Sequence, residues 1–166
     1  MKTGLKNNKG FTLVELIVVI AIMAVLTGFI ITGIGLLSTL SSRQCARQLK
    51  QSIGQARIET MGKNYVKLRL YKDSTDNCYY LEETKTVTET GETSVTTDKV
   101  GSGRITITGK DAGGSDYTIS TGHDITLSFK RSTGGFDDYV KTIVVSSGGR
   151  DHELKLMKIT GRVEGN

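Results

Sequence analysis

The sequence predicts an α+β protein, in which one long N-terminal helix packs its outer half against a mainly antiparallel β-sheet domain. Two observations support this class. The longest apolar run lies at residues 11–40 and continues into a pattern with helical spacing. From Tyr65 onward, short alternating apolar segments recur between Gly-rich and Asp-rich turns, as is typical of strands. These shifts divide the chain into residues 1–10, 11–40 and 41–166, the last with a helix over 41–62 and a sheet over 65–166.

Residues 1–10 form a short basic leader, with Lys2, Lys6 and Lys9 placed before the apolar run. A basic flank predicts that the N-terminus stays cytoplasmic while the following chain crosses outward. The run exceeds the roughly 7 to 15 apolar residues of an ordinary signal and reaches the roughly 20 that a membrane-spanning helix needs. We therefore expect a retained single-pass membrane helix over residues 11–40 and an extracytoplasmic domain after it.

The formal net charge of +5 at first suggests an acidic partner such as nucleic acid. Three of the 22 basic residues are the leader lysines, so their removal leaves 19 basic against 17 acidic residues, a net charge of +2. The mature charge therefore gives little support to nucleic-acid binding.

Glu15 is the one charged residue between Phe11 and Ser42. A carboxylate inside an apolar membrane helix costs about 2.5 kcal/mol or more unless it is paired, so it is a candidate functional residue. Cleavage between Gly10 and Phe11 would create an α-amine four residues before it. The alternative is a plain signal anchor, in which Glu15 reaches the membrane interface.

Residues 9–16, with the sequence KGFTLVEL, resemble the processing signal of type IV prepilins and type II secretion pseudopilins. The resemblance implies a pilin fold, cleavage after Gly10 by prepilin peptidase, N-methylation of Phe11, and pairing of Glu15 with the N-terminal amine of a neighbouring subunit. It also implies four kinds of partner: the peptidase, other pilin or pseudopilin subunits, the membrane platform of the assembly machine, and membrane lipid before assembly. No cofactor is implied.

The helix departs from the family in one respect. Many members carry proline where this chain has Thr32, and Gly28, Gly33 and Gly35 occupy that zone instead. Each glycine weakens an isolated helix by about 1 kcal/mol relative to alanine, so these residues could permit local melting. Close packing against other helices is the second interpretation.

The helix beyond the membrane has two distinct faces. An apolar face at spacings of three and four predicts packing on the sheet and consists of Ala46, Leu49, Ile53, Ala56 and Thr60. A basic face consists of Arg43, Arg47, Lys50 and Arg57. The basic face is interpreted as solvated, with acidic patches of adjacent subunits or nucleic acid as the functional alternative. Gly62 to Tyr65 predict the end of the helix.

The strand signals after the helix are Val66–Leu70, Cys78–Leu81, Arg104–Thr108, Ile125–Phe129, Val140–Ser146 and Leu154–Ile159. Between them, Glu82 to Lys99 alternates weakly and predicts either an irregular hairpin or a mobile loop.

The order of the C-terminal segments resembles the GspH/FimT-type minor pilins. It comprises Ile125–Phe129, the Gly134-Gly135 turn, the strand Thr142–Val145, Leu154–Ile159 and Thr160–Val163. This narrower resemblance implies a minor pilin or pseudopilin. Some FimT-type members bind DNA through a Gly-Arg-x-Arg element, which makes a DNA-uptake minor pilin the alternative, with Arg43, Arg47, Arg57 or Arg162 on phosphate. Here Glu164 replaces the second arginine, and a carboxylate repels phosphate.

Other chemistry has little support in the sequence. His123 and His152 lie in separate predicted turns, so no convergent catalytic set is expected and the chain is not predicted to be an enzyme. Asp73 to Asn77 could offer oxygen ligands to calcium, but an Asx turn is favoured and no metal site is predicted. Cys45 and Cys78 lack metal-ligand spacing, and they either form one bridge or remain separate thiols.

Overall fold

The computed structural model describes residues 13–62, 64–111 and 113–165, with side chains described in these ranges except at 24–40. Helix α1 spans Leu13–Gly62. The strands are β1 Asn64–Lys72, β2 Tyr79–Val87, β3 Thr93–Gly101, β4 Thr106–Lys110, β5 Asp116–Thr118, β6 Ile125–Ser128, β7 Thr142–Ser147, β8 Arg150–Met157 and β9 Arg162–Glu164. The chain divides into two compact units, with the boundary inside α1 between Leu36 and Leu37.

The strands form two sheets in the second unit. One sheet has four strands in the order β3-β2-β1-β6, and the other has five in the order β5-β4-β7-β8-β9. Each pair of neighbouring strands runs antiparallel. The predicted α+β class, with an N-terminal helix and an antiparallel sheet domain, is therefore confirmed.

The apolar face of α1 is buried, as its spacing predicted. Leu49, Ile53 and Ala56 are at most 1% exposed and belong to the core cluster that includes apolar residues of both sheets. Thr60 on the same face is fully buried, and its hydroxyl donates to the Ala56 carbonyl at 2.8 Å. A hydroxyl can be buried here because the preceding turn of the helix supplies its acceptor. The helix ends at Gly62, where the sequence predicted it to stop.

The segment Glu82 to Lys99 is not a mobile loop. It contains most of β2 and most of β3. These two strands pair over eight positions, with one irregularity between Tyr79 and Tyr80. Its weak alternation has a physical cause: β3 is exposed at each residue from Thr93 to Lys99, so neither of its faces required apolar side chains.

Strands β5, β8 and β9 of the C-terminal half differ from the prediction. Strands β5 and β9 have three residues each, too short for a periodic signal. Strand β8 begins at Arg150 rather than Leu154, so His152 lies in a strand opposite Val145 and not in a turn.

The first unit carries exposed apolar side chains from Leu13 to Met23. Among the residues that the structure describes, no helix combined the length and hydropathy of a membrane span. The membrane-spanning role of residues 11–40 therefore stays a prediction.

Candidate functional site

The predicted processing site and its acidic residue lie at the start of α1. Gly10 and Phe11 fall outside the described residues. The helix begins at Leu13 and places Glu15 in its first turn, where the helix dipole favours a carboxylate. Its apolar neighbours Val14 and Leu16 are 69% and 58% exposed. The Glu15 carboxylate therefore lies on a part of the helix whose large apolar surface is available to other molecules.

The basic residues of α1 do not act as one solvated stripe. Arg43 and Arg47 are exposed, as predicted. Lys50 is exposed as well, and its ammonium donates to the Gly165 carbonyl at 2.9 Å. Arg57 is half-buried, and its Nε donates to the Gly134 carbonyl at 3.1 Å. Lys50 and Arg57 therefore link the helix to the backbone at Gly165 and Gly134.

A groove of about 390 Å³ runs between α1 and the last strand. Its walls come from Lys50, Gly54, Arg57 and Ile58 of the helix and from Gly161, Arg162, Val163 and Glu164. The fold thus brings Arg57 and Arg162 to one groove, while Arg43 and Arg47 do not line it. Because Glu164 lines the same groove, the groove carries both positive and negative side chains. The Glu164 carboxylate would repel a bound phosphate.

Gly134 and Gly161 allow their two chain segments to approach each other and the end of α1 beside this groove. Gly134 and Gly161 have φ angles of 66° and 64°, in the region that glycine favours. A β-carbon on Gly161 would collide with the Gly134 carbonyl oxygen, and one on Gly134 would meet Met61 Sδ at 2.5 Å. The Gly134-Gly135 turn was predicted, but its contact with residues 27 positions later has no local signal in the sequence.

The two cysteines are both free and both buried, so no bridge joins them. Burial raises the pKa of the Cys45 thiol to about 12. Cys78 lies beside the loop that precedes β2, and its thiol donates to the Asp76 carbonyl at 3.3 Å. The Cys45 thiol therefore lacks the lowered pKa of a reactive nucleophile.

The loop before β2 contains a polar network that the sequence did not predict. Asp76 Oδ2 accepts from the Tyr80 hydroxyl at 2.7 Å and lies 3.2 Å from the Lys99 ammonium. These contacts, the Tyr80 bond first, lower the pKa of Asp76 from 3.8 to about 2. Asp76 and Asp73 also accept from backbone amides two residues ahead, as Asx turns do.

The two histidines occupy different settings. His123 is exposed and bridges Ser120, whereas His152 is half-buried in β8. Within the described ranges, no three His, Cys, Asp or Glu side chains group closely enough to hold a metal ion. The expected lack of an enzymatic or metal site nevertheless stays a prediction.

Comparison with known proteins identifies the N-terminal segment. Residues 5–31 match the family model of the prokaryotic N-terminal methylation motif, a stretch that contains Gly10, Phe11 and Glu15. No curated protein and no solved structure matched the chain. The motif implies a membrane-anchored precursor, processing by prepilin peptidase and assembly with other pilin subunits. The match therefore supports a type IV pilin-like prepilin.

Proposed function

We propose that this chain is a minor pilin or pseudopilin subunit of the GspH/FimT type, with no catalytic role of its own. Its precursor is anchored in the cytoplasmic membrane by residues 11–40 and exposes residues 41–166 outside. After cleavage and methylation it enters a type IV pilus or a type II secretion pseudopilus. The observation that carries the proposal is the methylation motif at residues 5–31.

Cleavage supplies the charge that the assembly step uses. Hydrolysis of the Gly10–Phe11 peptide bond leaves a carboxyl group on the leader and an α-amine on Phe11, and that amine can pair with Glu15 of a neighbouring subunit. Two unit charges 4 Å apart attract by about 4 kcal/mol at an effective dielectric constant near 20. Because desolvation offsets much of this attraction, the pair contributes more to axial register than to net stability.

The C-terminal half supports the narrower subtype through the order of its elements. Strand β6, the Gly134-Gly135 turn, β7 and β8 follow one another as in the sequence resemblance, and Gly161 leads into β9, which contains Arg162 and Val163. The long β2–β3 hairpin precedes them. Since each element is common in sheet proteins, the support comes from their order.

The processing step has a direct test. When the full chain is produced with prepilin peptidase, mass analysis should find mature protein that begins at methylated Phe11. Gly10→Val should block the cut because the peptidase recognises the residue before it, whereas Gly4→Ala, in the same leader, should leave processing intact. Assembled material that retains Met1 would refute the proposal.

The assembly role of Glu15 has a separate test. Glu15→Gln keeps the size of the side chain and removes its charge, so the variant should be cleaved and methylated normally but should lose incorporation into filaments at least tenfold. Glu59→Gln, in the same helix, is the matched control. Unchanged incorporation of Glu15→Gln would remove the carboxylate from the mechanism.

A second candidate function, DNA uptake, is favoured by one observation: Lys50, Arg57 and Arg162 line a common groove. Neutralised phosphates release counterions, so binding would weaken steeply with salt. Under this hypothesis Arg162→Ala should reduce binding of the full chain to duplex DNA at 50 mM salt, and Glu164→Ala should increase it. If the wild-type chain does not bind DNA at low salt, this candidate fails.

A further inference from the structure

Strand β3 is a long, open sheet edge. It forms one end of the four-stranded sheet, and within the described ranges its backbone pairs with β2 alone. In an antiparallel ladder, alternate residues direct both N–H and C=O away from the paired neighbour. Each residue from Thr93 to Lys99 is exposed, so a row of these groups faces outward along the strand.

The other described sheet edges offer less to a binding partner. Strand β6 has four residues, and Ser128 at its end exchanges backbone hydrogen bonds of 2.9 Å with Asp137 and Asp138. Strands β5 and β9, which form the two edges of the second sheet, have three residues each. Strand β3 has nine, so it is the longest edge in the described part of the chain.

The usual protection of an edge is weak in β3. Sheet proteins discourage edge pairing with proline, outward lysines, bulges or short strands. The chain has no proline, and the one lysine of β3, Lys99, is 3.2 Å from Asp76 of its own chain. The irregularity in the β2–β3 ladder is confined to the end near Tyr79. The segment Thr93–Lys99 is therefore a regular edge open to pairing.

We propose that β3 binds β3 of a second copy of this chain, antiparallel and edge to edge. A two-fold axis would run between the strands, and the two four-stranded sheets would join into one sheet of eight strands. Such an interface uses the same surface on both copies, so it closes at a dimer.

Hydrogen-bond geometry restricts the register. Two edge strands form hydrogen bonds only where residues whose backbone N–H and C=O groups point out of one sheet face residues of the same kind in the other sheet. Such residues alternate along each strand. In a symmetric antiparallel pair, this condition is met only when a residue lies on the two-fold axis opposite itself. Thr96 is the centre of the regular segment, so the register that uses its whole length pairs Thr96 with Thr96, Val95 with Thr97, and Ser94 with Asp98.

Side-chain chemistry favours a second copy as the occupant. In this register Asp98 faces Ser94 and Lys99 faces Thr93, so no like charges lie opposite each other. The remaining pairs join β-branched residues, which suit adjacent strands. The hairpin already contains such a contact, since the hydroxyls of Thr86 and Thr93 are 3.2 Å apart across β2 and β3.

Cysteine cross-linking in membranes that contain the full chain tests this register. Facing residues in an antiparallel pair have Cα atoms about 4.5 to 5.5 Å apart, within disulfide range, whereas diagonal neighbours are about 7 Å or more apart. Thr96→Cys should form a dimer on mild oxidation. Val95→Cys and Thr97→Cys should not do so alone but should form one when co-expressed.

The native thiols do not confound this experiment because Cys45 and Cys78 are buried. The wild-type chain and Thr90→Cys, an exposed position in the turn of the same hairpin, serve as controls. The proposal fails if Thr96→Cys cross-links no faster than Thr90→Cys, or if Val95→Cys alone matches it.

Charge substitution at the axis provides an independent test. Thr96→Lys places two like charges opposite each other and should weaken dimerisation of the detergent-solubilised full chain about fivefold. Thr96→Glu should do the same. An equimolar mixture of both variants pairs opposite charges, so sedimentation should recover a mixed dimer at least as stable as wild type, while Thr96→Ser should behave as wild type. A mixture no more associated than either variant would overturn the proposal.

Discussion

Two carboxylates show how neighbouring groups determine the role of an acidic residue in this chain. Asp76 is exposed, but the Tyr80 hydroxyl and the Lys99 ammonium bind the same oxygen atom and hold it ionised. Glu15 stands in the first turn of α1, beside exposed apolar side chains. In the proposed assembly, its counter-charge comes from another subunit. The first carboxylate therefore organises a loop, and the second, in the proposed assembly, joins two molecules.

Replacement of Tyr80 tests the cause of the Asp76 shift. Tyr80→Phe removes the hydrogen bond that contributes most, so the pKa of Asp76 should rise from about 2 towards 3.8. Lys99→Met should raise it less, because its contact contributes less. Titration of the carboxyl carbon by NMR measures both values, and a larger effect of Lys99→Met would contradict this assignment.

The same shift has a defined sign for stability. The folded pKa of Asp76 is lowered, so its contribution is present above the unfolded pKa and is lost as the pH falls from 3.8 through about 2. In Tyr80→Phe, the contribution of this carboxyl to acid unfolding should shrink across that window.

Gly161 is the glycine whose replacement should be most disruptive. Gly161→Ala forces a side chain both into a φ of 64° and against the Gly134 carbonyl, so unfolding free energy should fall by about 3 kcal/mol or more. Gly91→Ala has a similar φ of 73° but open space around it, so it should lose about 1 kcal/mol from backbone strain alone. Denaturant unfolding of both variants measures the difference, and equal losses would show that the contact has no energetic role.

At the scale of elements, α1 illustrates what the sequence can predict. Its buried face repeats every three or four residues, so Ala46 to Thr60 identified the side that packs on the sheets. The β2–β3 hairpin lacks such a pattern because its outer strand is exposed on both faces. Periodicity reports burial, and an element without a buried face produces no periodic signal.

Two isoleucines five positions apart on α1, and therefore on different faces of the helix, provide a matched pair of substitutions. Ile53 is fully buried and Ile58 is 68% exposed. Ile53→Ala should reduce the free energy of unfolding by about 2 to 5 kcal/mol, because it removes apolar contacts and leaves a cavity. Ile58→Ala should change it by less than about 0.5 kcal/mol. Thermal or denaturant unfolding checks both values, and a comparable loss at Ile58 would mean that its surface is covered.

At the scale of the molecule, local and non-local features differ in how far the sequence reveals them. The processing signal is contiguous, so a role for Gly10, Phe11 and Glu15 could be predicted without a structure, and the family model covers the stretch that contains them. The groove depends on contacts between distant parts of the chain, since it is lined by Arg57 of α1 and by Arg162, 105 positions later. Such a contact depends on the path of the folded chain, which the spacing of charges does not reveal. The sequence therefore suggested a single basic face on α1, whereas in the structure only part of that face lines the groove.

The buried thiols report on opening of the sheet domain as a whole. Cys45 lies in the core, and its pKa of about 12 leaves little thiolate at pH 8. In Cys78→Ser, alkylation of Cys45 should therefore follow the global unfolding curve seen by circular dichroism. In Cys45→Ser, Cys78 should react at lower denaturant concentration, because it adjoins an exposed loop that can open locally. Labelling of Cys45 before global unfolding would indicate separation of α1 from the sheets.

The junction of α1 with Gly134, Gly161 and Gly165 has a consequence for the order in which the chain is made. The Lys50 ammonium meets a carbonyl group 115 residues further along the chain. A ribosome adds about 5 to 20 residues per second, so the helix waits several seconds for its final contacts. During that interval the apolar side of the helix has no complete sheet to cover it, so this surface stays open to other apolar segments until the last strand arrives.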